Sequence, residues 1–175
     1  MSKAKVSQDF LLNIIDERGV NVTTLAELMG MSNTMVNGCF RHNKDANGNP
    51  RNFPEKTLPK LNAALVAMAD EMNKIQIPFG SSQTYTNQRG VTYDPAAVEN
   101  ITNLHRYFKL IKFLNRVLGW TPNKKSIVLH TPSSKGYACV SESEVAKINA
   151  AIKEVVIIFN SIEVVPGKPD SNSDK

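Results

Sequence analysis

The sequence predicts an all-α fold, in which two small helix-turn-helix-like helical domains are joined by a linker. One observation is an internal repeat, since LAELMGMSNTM from Leu25 matches LNRVLGWTPNK from Leu114. A second match follows in the same order, between LPKLNAAL from Leu58 and VAKINAAI from Val145. The two offsets are 89 and 87 residues. Because order and spacing are preserved, two units of similar architecture are expected.

Apolar spacing and capping residues predict the first two helices of the first unit. Residues 7–18 carry apolar side chains at helical spacing, and Gly19 is placed to end that helix. Thr23 or Thr24 can cap a short second helix, which is expected to end at Gly30.

Two more helices and a loop are predicted further along this unit. Ser32 is a candidate N-cap for the third helix, which should run to about His42. Residues 43–52 are polar and rich in turn formers, and they predict a turn or a short wing. The fourth helix begins in residues 53–57 and fades near Asn73.

Between the units the composition shifts to Gly, Ser, Thr, Gln and Asn without apolar periodicity. Residues 76–95 are therefore predicted to be a linker, with room for one short extended piece. The linker separates a first domain, residues 1–75, from a second, basic domain, residues 96–165. The polar residues 166–175 predict a disordered tail.

The second unit is predicted to begin with a long helical pattern over residues 96–118, with a break near Phe108. Residues 121–122 (Thr-Pro) begin a further helix, because proline is favoured at the first helical position. Ser141 and Glu144 form a capping box that opens the last helix. That helix is apolar at its end, so its final residues could instead form a strand.

Basic residues are unevenly distributed along the chain. The net charge is +5, and no acidic residue occurs between Glu99 and Glu142. Such a span builds a positive field that attracts phosphate, although it can also be a plain solvated face. Because the span overlaps the second copy of the repeat, nucleic acid is the favoured partner. Its basic residues are Arg106, Lys109, Lys112, Arg116, Lys124, Lys125 and Lys135, with His105 and His130 beside them.

The first copy of the repeat has the residues that a helix-turn-helix needs. Ala26 is small where the two helices cross, and Gly30 tolerates the positive φ of the turn. Met31 and Val36 are apolar and can pin the recognition helix to the core. The exposed face then carries amide, hydroxyl and guanidinium groups, which can pair with base edges. These candidate DNA-binding residues are Ser32, Asn33, Thr34, Asn37 and Arg41.

The motif LAELMGMSNTMVNGCF, followed by FPEKTLPKLNAAL, resembles the Cro and phage-repressor type of helix-turn-helix family. The resemblance covers residues 7–73 and implies sequence-specific binding to double-stranded DNA, dimerisation and no cofactor. The chain departs from the family in the long polar loop after His42. It also has Gly38 where the family has bulkier polar residues, so one base contact is expected to be missing.

The second copy is similar to small helix-turn-helix proteins of phages and mobile elements, with departures. Asn115 stands at the position of Ala26, and Lys125 at the position of Val36. Its exposed side chains suit phosphate contact better than base discrimination. We therefore expect the first copy to specify the DNA sequence and the second to hold the backbone. The residues expected to do so are Thr121, Asn123, Lys124, Lys125, Ser126 and His130.

The apolar end of the last helix is the candidate interface for a homodimer. A dimer is expected because one short helix reads too few base pairs. A tandem monomer could replace the dimer, with its two units serving two half-sites. The candidate interface residues are Val155, Ile158, Phe159 and Ile162.

The sequence does not indicate a catalytic or metal site. The histidines have no acidic partner at metal-ligand spacing, and there is no Gly-rich phosphate loop or nucleophile-elbow motif. Cys39 and Cys139 are the only cysteines and lack CxxC spacing, so neither a disulfide framework nor a zinc site is expected. The missing catalytic motifs predict that the protein is not an enzyme. Without a membrane-length apolar run or a secretory signal, the chain is expected to be cytoplasmic.

The function predicted from the sequence is that of a DNA-binding transcriptional regulator, a repressor of a phage or mobile element. Two other classes stay open. One is a virion-associated or packaging protein that binds nucleic acid or virion proteins without sequence preference. The other is a helical protein–protein interaction module whose basic span faces an acidic partner.

Overall fold

The computed structural model describes residues 2–80, 85–86, 90, 92–93, 95–119 and 141–167. Over these residues the chain is mostly helical, as the sequence predicts. The α-helices are α1 (Gln8–Arg18), α2 (Val22–Met29), α3 (Asn33–Phe40), α4 (Leu58–Asn73), α5 (Pro95–Thr102), α6 (Leu110–Leu118) and α7 (Glu142–Ser161). The short strands are β1 (Ala4–Val6), β2 (Tyr85–Thr86), β3 (Thr92–Tyr93) and β4 (Ile162–Val164).

Capping residues set the ends of the first helices. Ser7 Oγ accepts a hydrogen bond from the first turn of α1, and α1 ends at Gly19 with φ 67°, as predicted. The N-cap of α2 is Asn21, so the prediction of Thr23 or Thr24 is wrong. Asn21 Oδ1 accepts from Thr23 N at 3.1 Å. Thr24 is instead buried, and its hydroxyl donates to a backbone carbonyl of the second unit.

α2 and α3 form the predicted helix-turn-helix. α2 ends at Gly30 with φ 68°, a left-handed conformation that glycine adopts without steric cost. Ser32 Oγ then caps α3 by accepting a hydrogen bond from Met35 N at 3.2 Å. α3 ends at Phe40, slightly earlier than predicted, because His42 turns the chain out of the helix with a φ of 51°.

In the second unit, the predicted long helix is divided. A 3₁₀ turn (Asn103–Arg106) separates α5 from α6, and Phe108 lies in the predicted break. The predicted linker includes a short antiparallel pair, β2 with β3. Ser141 caps α7 as predicted, and after α7 the chain continues into β4, which pairs in parallel with β1. The prediction of a strand at this end is confirmed for residues 162–164.

The two units share one hydrophobic core. Buried apolar residues from Leu11 to Val164 form a single cluster, in which α4 packs along α7. α2 packs on α4, and α6 packs on α7. The division of the chain into two domains by a linker at residues 76–95 stays a prediction. The helices on its two sides, however, bury their apolar faces against one another.

The apolar end of α7 belongs to this core. Val155, Phe159 and Ile162 are 1%, 0% and 7% exposed, and Ile158 packs partly buried against the same cluster. The prediction that Val155, Phe159 and Ile162 form a homodimer interface is therefore wrong, because their side chains are already covered by their own chain.

Backbone hydrogen bonds join the segment before α2 to the segment before α6. Asn21 N donates to the Tyr107 carbonyl at 2.8 Å, and Lys109 N donates to the Gly19 carbonyl at 2.7 Å. Asn21 and Lys109 are the N-cap residues of α2 and α6. They are 88 residues apart, and so are Gly19 and Tyr107. Exchanging the two units converts each hydrogen bond into the other, which is the property of a two-fold axis.

Two asparagine side chains, one on α4 and one on α7, are related by the same two-fold axis. Asn62 of α4 accepts from Val164 N at 2.8 Å and donates to the Val164 carbonyl at 2.9 Å. Asn149 of α7 accepts from Ile77 N at 2.8 Å and donates to the Ile77 carbonyl at 3.0 Å. Both the asparagines and their partners are 87 residues apart. Each of these two helices therefore holds the segment that follows the other helix, through the asparagine of the repeated KxNAA sequence.

Two ion pairs between the units follow the same relation with their charges exchanged. Arg106 pairs with Glu27 at 3.3 Å, and Arg116 pairs with Glu17 at 3.5 Å. Glu27 and Arg116 are 89 residues apart, as are Glu17 and Arg106. The carboxylate on one side of the axis thus corresponds to a guanidinium on the other.

The single chain therefore has the architecture of a symmetric dimer. α2 corresponds to α6, and α4 corresponds to α7. By the offset of 89 residues, the segment that corresponds to α3 is 122–129, which lies outside the described residues.

Candidate nucleic-acid interface

The exposed face of α3 is fixed by the packing of its opposite face. Val36 and Phe40 are both 0% exposed, and Ala26 of α2 is 0% exposed as well. α2 and α3 pack against each other, so the small side chain of Ala26 and the anchoring by Val36 agree with the sequence prediction. The polar side of α3 consequently faces away from the core.

Polar side chains occupy the start of this exposed face. Ser32, Asn33 and Thr34 are exposed, and Asn37 is half-buried. Asn37 Nδ2 donates to Asn33 Oδ1 at 2.8 Å, which orients the Asn37 amide on the helix surface. Ser32 Oγ already accepts the capping hydrogen bond, so its hydroxyl proton is what it can offer to a ligand.

Arg41 is exposed at the end of α3, but it is not free. Its two terminal nitrogens each donate to Asp16 of α1 at 2.9 Å, in a bidentate ion pair. Arg41 stays a predicted DNA-binding residue, but its guanidinium must leave Asp16 before it can contact a base. An exposed ion pair of this kind contributes about 0–1 kcal/mol, so a ligand can displace it at small cost.

The polar loop after α3 is a closed wing. Asp45 N donates to the Asn49 carbonyl at 2.8 Å, and Lys44 and Pro50 form an antiparallel bridge. Asp45 Oδ1 accepts from the backbone N–H groups of Asn47 and Asn49 at 2.8 and 2.9 Å. Of the two predicted alternatives for residues 43–52, a turn or a short wing, the structure shows the wing.

Histidine and glutamine side chains fasten the wing to α1. His42 Nε2 lies 2.6 Å from Asp9 Oδ1, and His42 Nδ1 lies 2.6 Å from Asn52 Oδ1. Because both ring nitrogens face oxygens, the doubly protonated ring is favoured, and the hydrogen bond with Asp9 is the main cause of the raised pKa of His42. Gln8 joins the end of α3 to the end of the wing, since it donates to the Cys39 carbonyl at 2.7 Å and accepts from Phe53 N at 3.0 Å.

The wing also covers Gly38. A Cβ added to Gly38 would lie 3.7 Å from a terminal guanidinium nitrogen of Arg51 and 3.8 Å from Asn43 Nδ2. Sequence reasoning assigned no role to Arg51. The signal that could have found it is the glycine itself, because a missing side chain on a polar helix face leaves room for a neighbouring one.

The acid-free span is partly neutralised in three dimensions. Arg106 pairs with Glu27 and also with Glu71, at 3.3 and 3.4 Å, and Arg116 pairs with Glu17. All three carboxylates come from the first unit. The positive field predicted for this span is therefore weaker at these two arginines than the sequence count suggests, while Lys109 and Lys112 remain exposed.

The predicted contact residues of the second unit lie outside the described residues. These are Thr121, Asn123, Lys124, Lys125, Ser126 and His130. In the described part of that unit, Leu114 is buried and Gly119 ends α6 with φ 67°, as Leu25 and Gly30 do for α2 in the first unit.

Neither a metal-ligating cluster nor a membrane-spanning helix is found in the described part of the chain. There, no group of three or more His, Cys, Asp and Glu side chains could hold a metal ion. None of the described helices combines the length and apolar character needed to cross a membrane.

The chain matches no protein-family model, no curated protein and no solved structure.

Proposed function

We propose that this protein binds double-stranded DNA sequence-specifically and acts as a transcriptional regulator, of the repressor type found in phages and mobile elements. The observation that carries the proposal is the polar, outward-facing surface of α3 after the Gly30 turn. The resemblance of residues 7–73 to the Cro and phage-repressor family supports the same function.

In the proposed complex, α3 enters the major groove of the duplex. This groove admits an α-helix, and the first residues of a recognition helix approach the base edges. The Asn37 amide can pair with adenine, while the hydroxyls of Ser32 and Thr34 can donate to a base or a phosphate. Occupation of an operator in this way would block polymerase.

The approximate two-fold axis supports a single chain that reads two half-sites. Dimeric helix-turn-helix proteins contact half-sites separated by about 34–36 Å, one turn of the duplex. Here one chain supplies both units, so no homodimer is needed. Because the two units carry different surface residues, we expect half-sites of different sequence. The second unit is expected to contribute mainly phosphate contacts.

Selection of bound sequences from random duplex DNA tests the proposal. The wild-type chain should enrich one motif with two unequal halves and bind it as a monomer, which sedimentation of the complex would report. Asn37→Ala should weaken binding to that motif about ten- to a hundredfold, because a bidentate contact contributes about 1–3 kcal/mol. Asn160→Ala, an exposed asparagine of α7, is the matched control and should bind as wild type does.

A salt titration separates the proposal from the other classes. A regulator keeps a large ratio of specific to non-specific affinity at moderate salt. A packaging protein without sequence preference loses affinity for all duplexes together as salt rises. A chain that binds no duplex at any salt concentration would contradict the proposal and favour a protein partner.

A further inference from the structure

An arginine of the wing occupies the space beside Gly38 on the exposed face of α3. Gly38 lies one helical turn after Thr34 and three residues before Arg41, so the three residues share a face. Gly38 is nevertheless buried, because the Arg51 side chain covers it. The Cδ atom and a terminal nitrogen of Arg51 lie 3.8 and 3.7 Å from the position of a Gly38 Cβ. Arg51 thus lies where a side chain of α3 longer than a methyl group would extend.

Backbone hydrogen bonds hold Arg51 at this place. Asn43 N donates to the Gly38 carbonyl at 3.0 Å, and Arg51 N donates to the Asn43 carbonyl at 2.9 Å. Asn43 therefore connects Arg51 to the same turn of α3 that the Arg51 side chain covers. Since both ends of the wing are also fastened to α1, the guanidinium is positioned with α3 and is not carried at the tip of a loop.

Arg51 differs in its ion pairing from the other arginines in the described part of the chain. Each of the others in the described part of the chain forms an ion pair with a carboxylate, namely Arg18, Arg41, Arg106 and Arg116. Among the described residues, no carboxylate lies within ion-pair distance of Arg51, which is exposed. Its guanidinium therefore keeps its donors for a ligand.

We propose that Arg51 supplies the recognition surface with the side chain that Gly38 lacks, and that it reads a guanine of the operator. This inference rests on the proposed function. A guanidinium is a planar fork that matches O6 and N7 of guanine in the major groove. Arg51 can make this contact without breaking an ion pair, whereas Arg41 must first leave Asp16.

Arg51→Ala and Arg51→Lys test the inference on the selected operator and on variants in which each G·C pair is replaced. Both substitutions should weaken operator binding about ten- to a hundredfold and abolish discrimination at one G·C pair. Lysine keeps the charge but loses the fork, so it should not restore discrimination. Lys153→Ala removes one exposed positive charge from α7 and should leave the discrimination unchanged. Circular dichroism would verify that every variant is folded.

Substitutions of Gly38 provide a second test that leaves Arg51 in place. Gly38→Ala adds a Cβ at an ordinary van der Waals distance from Arg51, so discrimination at the same base pair should persist. Gly38→Gln places a longer side chain in the space that Arg51 occupies. It should displace the guanidinium and abolish that discrimination.

Several outcomes would overturn the inference. If Arg51→Ala weakens binding to all duplexes equally and lowers the salt slope by about one, Arg51 contacts a phosphate. If Arg51→Ala leaves operator binding unchanged while Asn37→Ala weakens it, Arg51 is outside the interface and only this inference fails. If the wild-type chain enriches no sequence, the proposed function fails and this inference fails with it.

Discussion

The two units of this chain agree at the axis that relates them and differ at their surfaces. The amide contacts of Asn62 and Asn149 are the same on both sides, with the same atoms and nearly the same distances. The ion pairs, in contrast, occur with their signs exchanged, as Glu27 and Arg116 show. Amide hydrogen bonds to the backbone are therefore the same in the two units. The ion pairs, which need only opposite charges, are conserved in position but exchanged in sign.

A second difference lies at the position where α2 of the first unit packs against α3. Ala26 is fully buried at this position in the first unit, whereas its counterpart in the second unit, Asn115, is half-buried. The two units therefore share a scaffold but differ in the size and burial of the side chain at this position. Under the proposed function, this difference favours half-sites of different sequence.

Removal of the Asn62 or Asn149 amide is expected to have the largest effect on the stability of the two-fold arrangement. Asn62→Ala and Asn149→Ala should each lower the free energy of unfolding by about 1–3 kcal/mol, because each leaves buried backbone groups without their partner. Val164 and Ile77 are both 2% exposed, so water cannot readily replace the amide. Urea unfolding of both variants measures the effect, and we expect a single transition because the core is shared.

Asn13→Ala is the matched control, since Asn13 is an exposed asparagine within α1. It should change the unfolding free energy by no more than about 0.5 kcal/mol. Equal losses for Asn62→Ala and Asn149→Ala would sharpen the two-fold relation. A loss at one asparagine only, or two separate transitions, would show that the units do not support each other as described.

Substitution of Gly19 tests how closely the two units approach each other, and its expected effect on stability is smaller. Gly19 and Gly30 have φ values of 67° and 68°, so alanine at either position pays the left-handed penalty of about 1–2 kcal/mol. Only at Gly19 would the new Cβ meet the other unit, at 3.2 Å from Phe113 N. Gly19→Ala should therefore be more destabilising than Gly30→Ala by about 1 kcal/mol. Equal losses of stability would contradict tight packing at the axis.

Local features of this fold could be predicted from the sequence, whereas the partners of its polar groups could not. Ser32 and Ser141 cap helices as predicted, because a cap depends on residues within one turn. The partner of Asn62 is 102 residues away, so the sequence shows the repeated asparagine but not the hydrogen bonds that it forms.

The candidate site shows the same limit. The exposed polar face of α3 follows from apolar spacing, but the pairing of Arg41 depends on the neighbouring helix α1. The apolar end of α7 has the composition of an interface and of a core alike. Only the packing of α7 on α4 decides between the two, because it shows which surface covers these side chains.

The smallest expected effect concerns His42, which fastens the wing of the first unit. Its pKa is raised, mainly by the hydrogen bond with Asp9, so the folded state holds the proton more tightly than the unfolded state does. The resulting stabilisation is fully present below the ordinary histidine pKa of about 6.5 and is lost as the pH rises through the higher folded value. Wild type should therefore lose stability over this range relative to a variant without the imidazole.

His42→Asn is the suitable variant, because asparagine tolerates the positive φ of 51° at this position better than most residues. The difference in unfolding free energy between wild type and variant, from urea titrations at pH 5.5, 7 and 8.5, should favour wild type most at the lowest pH. Comparing the two proteins at each pH removes the contribution of other titrating groups. A difference that is constant, or that grows with pH, would mean that the proton on His42 does not hold the wing against α1.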